Sequence, residues 1–156
     1  MRTETLLFIY RHPKIILGLK NPEKKFGGKW NGWGGGVEEG ETPESSLIRE
    51  LEEETFGKIK IDKLNKIGEI LFKFETEEQD HYVHVFYTEN YSGELGKSKD
   101  FLEYKEFDIN NLPENMMPAD KKWIPLLANK KKFKGTVNFD KEFKNPEVNF
   151  YEVEEF

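Results

Sequence analysis

A glycine-rich loop running straight into an acidic helix constrains this chain more than any other feature. Residues 21 to 40 hold seven glycines (Gly27, Gly28, Gly32, Gly34, Gly35, Gly36 and Gly40) interleaved with Phe26, Trp30 and Trp33. That mixture is too aromatic for a flexible linker and too glycine-rich for regular structure throughout. A helix is predicted next. Thr42 suits its N-cap, Pro43 its first helical position and Glu44 its positive end, while Gly57 is the natural stop. Between residues 38 and 54 the chain carries eight acids and one base, Arg49.

On a helical wheel, Leu47, Ile48, Leu51 and Thr55 form the predicted buried stripe. Glu50, Glu53 and Glu54 share one arc about 100° wide, and Glu52 is turned away from it. Like charges crowded on one face repel, and a helix acidic for solubility alone would interleave lysines there. Hard divalent cations take carboxylate oxygens, and Mg²⁺ commonly bridges protein carboxylates to substrate phosphates. Arg49 beside the arc can fix a carboxylate by bidentate hydrogen bonds. The glycine run lets backbone approach a ligand closely and supplies amide donors.

The remaining sequence fits one α/β domain spanning 1–156. Its 156 residues can bury a single core, and 13 Phe, 6 Tyr and 3 Trp mark a folding chain. A net charge of −6 argues against a stable nucleic-acid partner. The absence of cysteine excludes disulfides, thiolate metal sites and cysteine nucleophiles. The apolar stretch from Thr5 to Tyr10 is too short for a signal core or membrane span, so a soluble, cytoplasmic protein without a membrane partner is expected.

Strands are predicted at Thr5–Tyr10 and Lys14–Leu19, flanking Arg11-His12-Pro13. Two longer strands cover 59–75 and 79–88 around Glu77-Glu78-Gln79, and a shorter one covers Glu103–Ile109. Pro118 opens a second helical pattern containing Trp123, Ile124, Leu126 and Leu127, which read as core. Final strands are expected at Lys132–Phe139 and Val148–Val153. His12 reads as a solvated loop residue, and His81 and His84 as strand residues of which one is packed. Lys130, Lys131, Lys132 and Lys134 read as a solvated strand edge. Trp30 and Trp33 either stack on a base or scaffold the glycine loop.

The segment from Gly35 to Gly57, GGVEEGETPESSLIRELEEETFG, resembles the Nudix box, G-x5-E-x7-R-E-U-x-E-E-x-G-U with U aliphatic. Gly35, Glu41, Arg49, Glu50, Leu51, Glu53 and Glu54 stand at its required positions. Phe56 occupies the place of the last glycine, with Gly57 one residue late, a shift that would lengthen the helix slightly. WNGWGGGVEEGETPE, VHVF at Val83–Phe86 and PLLANKKKFKG at Pro125–Gly135 are similar to the oxidised-purine nucleoside triphosphatase branch of that family. The resemblance implies an α/β/α sandwich around a mixed sheet and Mg²⁺ dependence, with Mn²⁺ as a substitute. It also implies hydrolysis of a purine nucleoside triphosphate such as 8-oxo-dGTP to the monophosphate and pyrophosphate.

By the same resemblance Glu50, Glu53 and Glu54 correspond to metal ligands and base, with Glu53 favoured over Glu50 as base, and Gly35 or Gly36 to a carbonyl ligand. Asn31 and Asp120 correspond to base-reading residues, and Thr5, Lys20 and Phe26 lie near positions lining the same pocket. Met117 stands where a tryptophan is expected and Ala119 where a first aspartate is, so a flat stacking wall and one carboxyl group are missing. Asp100 and Glu103 are alternative candidates for a further loop carboxylate. Other readings are a Nudix hydrolase of dinucleoside polyphosphates, nucleotide sugars or capped RNA ends, and a non-catalytic nucleotide sensor. The intact carboxylate set argues against the sensor.

Overall fold

A computed structural model describes residues 1–76, 79–96 and 98–156. In chain order the strands are β1 (Arg2–Arg11), β2 (Lys14–Lys20), β3 (Trp30–Asn31) and β4 (Trp33–Gly36), followed by helix α1 (Pro43–Thr55). Then come β5 (Lys60–Ile61), β6 (Asn65–Phe74), β7 (His81–Thr88), β8 (Tyr91–Ser92) and β9 (Phe101–Asp108). Helix α2 (Asp120–Trp123), a 3₁₀ segment (Ile124–Asn129), β10 (Phe133–Phe139) and β11 (Glu147–Glu152) complete the chain.

The main sheet runs β11-β10-β6-β7-β1-β2-β3, with β4 also on β1 and β9 on β2. Its β1–β7 and β10–β6 pairs are parallel and its other pairs antiparallel, so the sheet is mixed. The unbroken apolar run in β1 follows from burial on both faces. Leu7 and Ile9 pack with Trp33, Leu47, Leu51 and Phe86 toward α1. Phe8 and Tyr10 pack with Val85, Trp123, Leu127 and Phe133 on the other face. Helical layers on both faces of a mixed sheet give the expected sandwich.

Expectations about elements change at the 59–75 strand, in the second helix and at the lysine run. The long strand predicted at 59–75 is two strands, β5 and β6, because Asp62-Lys63-Leu64 leaves the sheet and β5 pairs with β8 instead. The turn expected around Glu77-Glu78-Gln79 falls partly on Glu77 and Glu78, outside the described residues. The second helix is one turn continued as 3₁₀, as the proline at position 125 would impose. The lysine run is not a sheet edge, since β11 covers β10. Lys130 and Lys134 pair with Glu89 and Glu69.

Helix α1 starts as predicted. Thr42 accepts from the Ser45 amide at 3.1 Å, and Ser45 Oγ accepts from the Thr42 amide at 3.0 Å. Its buried face is rotated from the expected stripe: Ser46, Leu47, Leu51, Glu54 and Thr55 are buried, whereas Ile48 is exposed. The helix also stops on schedule instead of lengthening. Phe56 itself takes the left-handed cap conformation (φ 54°) ahead of Gly57, with its ring 68% exposed. A side chain pays about 1–2 kcal/mol there, so Phe56→Gly is expected to stabilise by roughly 0.5–1 kcal/mol after glycine's own entropy cost. Urea unfolding checks this, and an unchanged midpoint would refute cap strain.

Candidate active site

Arg49 is the organising residue. Its Nε donates to Glu41 Oε2 at 2.7 Å and Nη2 to Glu41 Oε1 at 2.9 Å, a bidentate clamp. Nη1 donates to Glu50 Oε1 at 3.0 Å and to Glu53 Oε2 at 3.4 Å, and Nη2 donates to the Gly36 carbonyl at 3.1 Å. All five guanidinium N–H groups are thereby engaged. The hydrogen bonds from Arg49 hold the Glu41 carboxyl down at about 2. Glu41 Oε1 also accepts the Glu38 amide at 2.9 Å, so one side chain ties the loop to the helix. The i,i+4 pair with Glu53 is the longest of these contacts.

Glu50 lies against the glycine loop. A Cβ on Gly35 would sit 2.4 Å from the Glu50 carboxyl carbon, so only glycine admits this carboxylate. Glu54 is buried and faces the loop before β9. Ser98 Oγ donates to its Oε1 at 2.8 Å and the Asp100 amide at 2.6 Å. Burial, reinforced by the nearby Asp100 carboxylate, pushes Glu54 up to about 7. Lys24 Nζ lies 3.5 Å from Asp100 Oδ1, but among the described residues no basic side chain pairs directly with Glu54, and a divalent ion is a partner that these oxygen donors fit.

Among the described residues, no three such side chains converge as a finished cage. Arg49 holds Glu50 and Glu53, while the loop holds Glu54. The Gly36 carbonyl is occupied by Arg49 and by Ser46 Oγ at 3.2 Å, which favours Gly35 of the two proposed carbonyl ligands. Asp100 adjoins Glu54, whereas Glu103 is exposed on β9 and absent from the cleft. Glu53 also stands outside the cleft, its side chain 55% exposed.

A cleft of about 490 Å³ joins this acidic end to an aromatic end. Thr5, Lys20, Phe26, Asn31, Met117 and Asp120, all expected from sequence, line it together with Gly35, Gly36, Glu50, Glu54 and Asp100. Thr5 Oγ1 is buried with no hydrogen-bond partner among the described residues. Asn31 Oδ1 accepts the Gly32 amide at 2.8 Å, leaving its NH₂ donors for a ligand. Asp120 is buried, accepts from Trp123 Nε1 at 3.0 Å, and is pushed up to about 7 by burial. Trp33 stacks on Tyr104 and Trp30 sits edge-on to Phe107, so both scaffold the loop.

Sequence reasoning missed Phe72, Phe74, Phe139, Arg2 and Glu4, and took His81 for an ordinary strand residue; all six line the cleft. The signal was present in Phe72-Lys73-Phe74, since alternate strand residues share a face. Phe26 packs edge-on to Phe143, which also meets Phe74 and Phe139, so the aromatic end is a continuous tier.

A mixed sheet between helical layers, with an acidic helix and a glycine loop at one end of a cleft, defines an α/β/α sandwich. A sequence model of the NUDIX domain matches residues 2–127, and the chain belongs to the Nudix hydrolase family. It is 43% identical over 139 residues to a Danio rerio protein named oxidized purine nucleoside triphosphate hydrolase, covering 86% of this chain and 85% of that one. The Mus musculus protein of that name is 34% identical over 157 residues, covering 99% and 97%. An ADP-ribose pyrophosphatase of Methanocaldococcus jannaschii is 31% identical over 121 residues, 68% of each chain. The Bacillus halodurans MutT structure shares the fold, with a TM-score of 0.77, 22% identity and coverage of 96% and 98%.

Proposed function

We propose that the protein is a Mg²⁺-dependent pyrophosphohydrolase that converts a purine nucleoside triphosphate, 8-oxo-dGTP foremost, to the monophosphate and pyrophosphate. The observation that carries this reading is the single cleft joining Glu50, Glu54 and Gly35 to Asn31 and Asp120. The names of the vertebrate relatives support the substrate class. Glu50, Glu54 and the Gly35 carbonyl would hold the metal, with Glu53 reaching it from the solvent side, Asp100 as the loop carboxylate and Mn²⁺ as a substitute. When bound, the cation neutralises phosphate oxygens and makes a water acidic.

Glu50 accepts the proton of the attacking water, since it, and not Glu53, faces the cleft. Arg49 fixes Glu50 and the loop. Lys20 neutralises phosphate charge, and the Thr5 hydroxyl gains the partner it lacks. Phe72, Phe74 and Met117 cover the purine. Asn31 donates to its oxidised edge, where C8 carries an oxygen.

Asp120 reads the opposite edge. Guanine and 8-oxoguanine both present N1–H and the N2 amine, two donors that one ionised carboxylate accepts together. Burial keeps this carboxyl largely protonated below about pH 7, so KM for guanine-type substrates should fall as pH rises through 7. Asp120→Asn sets an amide donor against a base donor, costing roughly 1–3 kcal/mol and raising that KM about tenfold or more. The variant keeps an acceptor for Trp123. Because a raised carboxyl pKa costs stability as pH rises from about 4 to 7, Asp120→Asn should also gain on wild type over that window. Unchanged KM values for 8-oxo-dGTP, dGTP and 2-oxo-dATP in a folded Asp120→Asn protein would place the base elsewhere. ADP-ribose belongs in the same panel, given the archaeal relative.

A further inference from the structure

We propose that Glu4 reads the sugar of the nucleotide by accepting a hydrogen bond from its 3′-hydroxyl, with His81 and Arg2 holding the carboxylate in place. The inference rests on the functional reading above, which puts phosphates at the Gly35–Glu50 end and base at the Asn31–Asp120 end.

Three side chains that the reading leaves without a role form one chain along the cleft. Arg2 reaches the glycine loop: a Cβ on Gly36 would lie 3.1 Å from its Nη2. Its Nε is 3.6 Å from Glu4 Oε2. Glu4 Oε1 makes a close ion-pair contact with His81 Nδ1, and the His81 ring stands edge-on to Phe74 with centroids 5.3 Å apart. Strand pairing agrees, since Glu4 is opposite Gly36 on β4 and Arg2 is opposite His81 on β7. The chain therefore runs from the phosphate end to the aromatic wall, and the group of a nucleotide between phosphate and base is its sugar.

Charge distinguishes Glu4 from the metal carboxylates. Glu54 is sunk beside another carboxyl group, whereas Glu4 has two basic side chains beside it and no need of a metal. A carboxylate oxygen has two lone-pair directions, so one stays open on each oxygen after these contacts. Glu4 lines the cleft, where a sugar hydroxyl can supply the donor. His81, whose Nδ1 lies against Glu4 Oε1, braces the carboxylate from the side of the aromatic wall, which makes it a positioning residue. A hydroxyl donor lost opposite such a group leaves an acceptor stranded, and the discrimination is correspondingly large.

Initial-rate kinetics on dGTP and 2′,3′-dideoxy-GTP, measured as pyrophosphate release, test this without any substitution. Wild type should prefer dGTP in kcat/KM by about tenfold or more, the scale of a hydrogen bond to a charged group. Glu4→Ala should bring that ratio toward one. His81→Phe keeps a ring against Phe74 but removes the nitrogen that meets Glu4; it should erode the ratio and raise KM for dGTP more than it lowers kcat. A wild-type ratio near one, or a Glu4→Ala protein that keeps the wild-type ratio, overturns the inference alone. A wild type that hydrolyses neither these nucleotides nor 8-oxo-dGTP overturns the functional reading and this inference with it.

Discussion

Glu50→Gln is expected to lower kcat by at least about 10²-fold, the scale on which a positioned proton acceptor acts, while the protein stays folded. Glutamine has the same shape, and its carbonyl oxygen can still accept from Arg49 Nη1, so the clamp on Glu41 and the glycine loop survives. What disappears is the basic oxygen at the place where Glu50 meets Gly35. Glu53→Gln should cost less, because Glu53 stands at the solvent side of the cluster. Glu52→Gln is the internal control: it is exposed on the far side of the helix and should be nearly silent. Steady-state kinetics on the three purified variants, with melting curves to verify folding, decides the order. Full turnover by Glu50→Gln would remove it as base.

Chelating divalent metal is expected to abolish turnover, with Mg²⁺ restoring it, Mn²⁺ substituting and Ca²⁺ restoring it poorly. The reason lies in the donor set. Glu50, Glu54 and Asp100 are hard oxygen donors lining the same end of the cleft, and among the described residues no lysine or arginine pairs directly with Glu54; Ca²⁺ demands longer bonds and more ligands than Mg²⁺. A readout independent of activity follows from the same geometry. Mg²⁺ should raise the melting temperature of wild type by mass action, and Glu54→Gln should blunt that rise. Undiminished turnover in chelator would end the metal assignment.

The acidic end of the site was legible because its determinants are local. Arg49, Glu50, Glu53 and Glu54 lie on one helix, so periodicity alone could group them, and the Thr42 cap and Pro43 fixed where the helix begins. Glu41 was legible through its box position, and the Arg49 clamp on it is the physical reason for that spacing. Periodicity misled at Ile48 because it cannot show which side of α1 meets the sheet. The neighbouring strands place Glu54 inward, and Ile48 is left outside. Phe56 shows a limit of a different kind, since the helix closes on a left-handed phenylalanine with an exposed ring, a local cost that the rest of the fold outweighs.

The aromatic end was only half legible because its residues come from six separate elements. Asn31 and Asp120 were reachable through resemblance to the family. Phe72, Phe74, Phe139, Glu4 and His81 required the register of β1, β7, β6 and β10, which no short motif encodes. Asp100 and Glu103 could not be separated in sequence because they are three residues apart. Pairing of β9 with β2 sets Glu103 opposite Leu19 in the exposed strand, and the turn before it delivers Asp100 to Glu54.

The most direct test of the central claim is product analysis of purified wild type with Mg²⁺ and 8-oxo-dGTP, resolving nucleotide and phosphate products together. The account predicts 8-oxo-dGMP and pyrophosphate in equal amounts, with higher kcat/KM than for dGTP or ADP-ribose. Release of inorganic phosphate with 8-oxo-dGDP, or turnover of ADP-ribose alone, would contradict it.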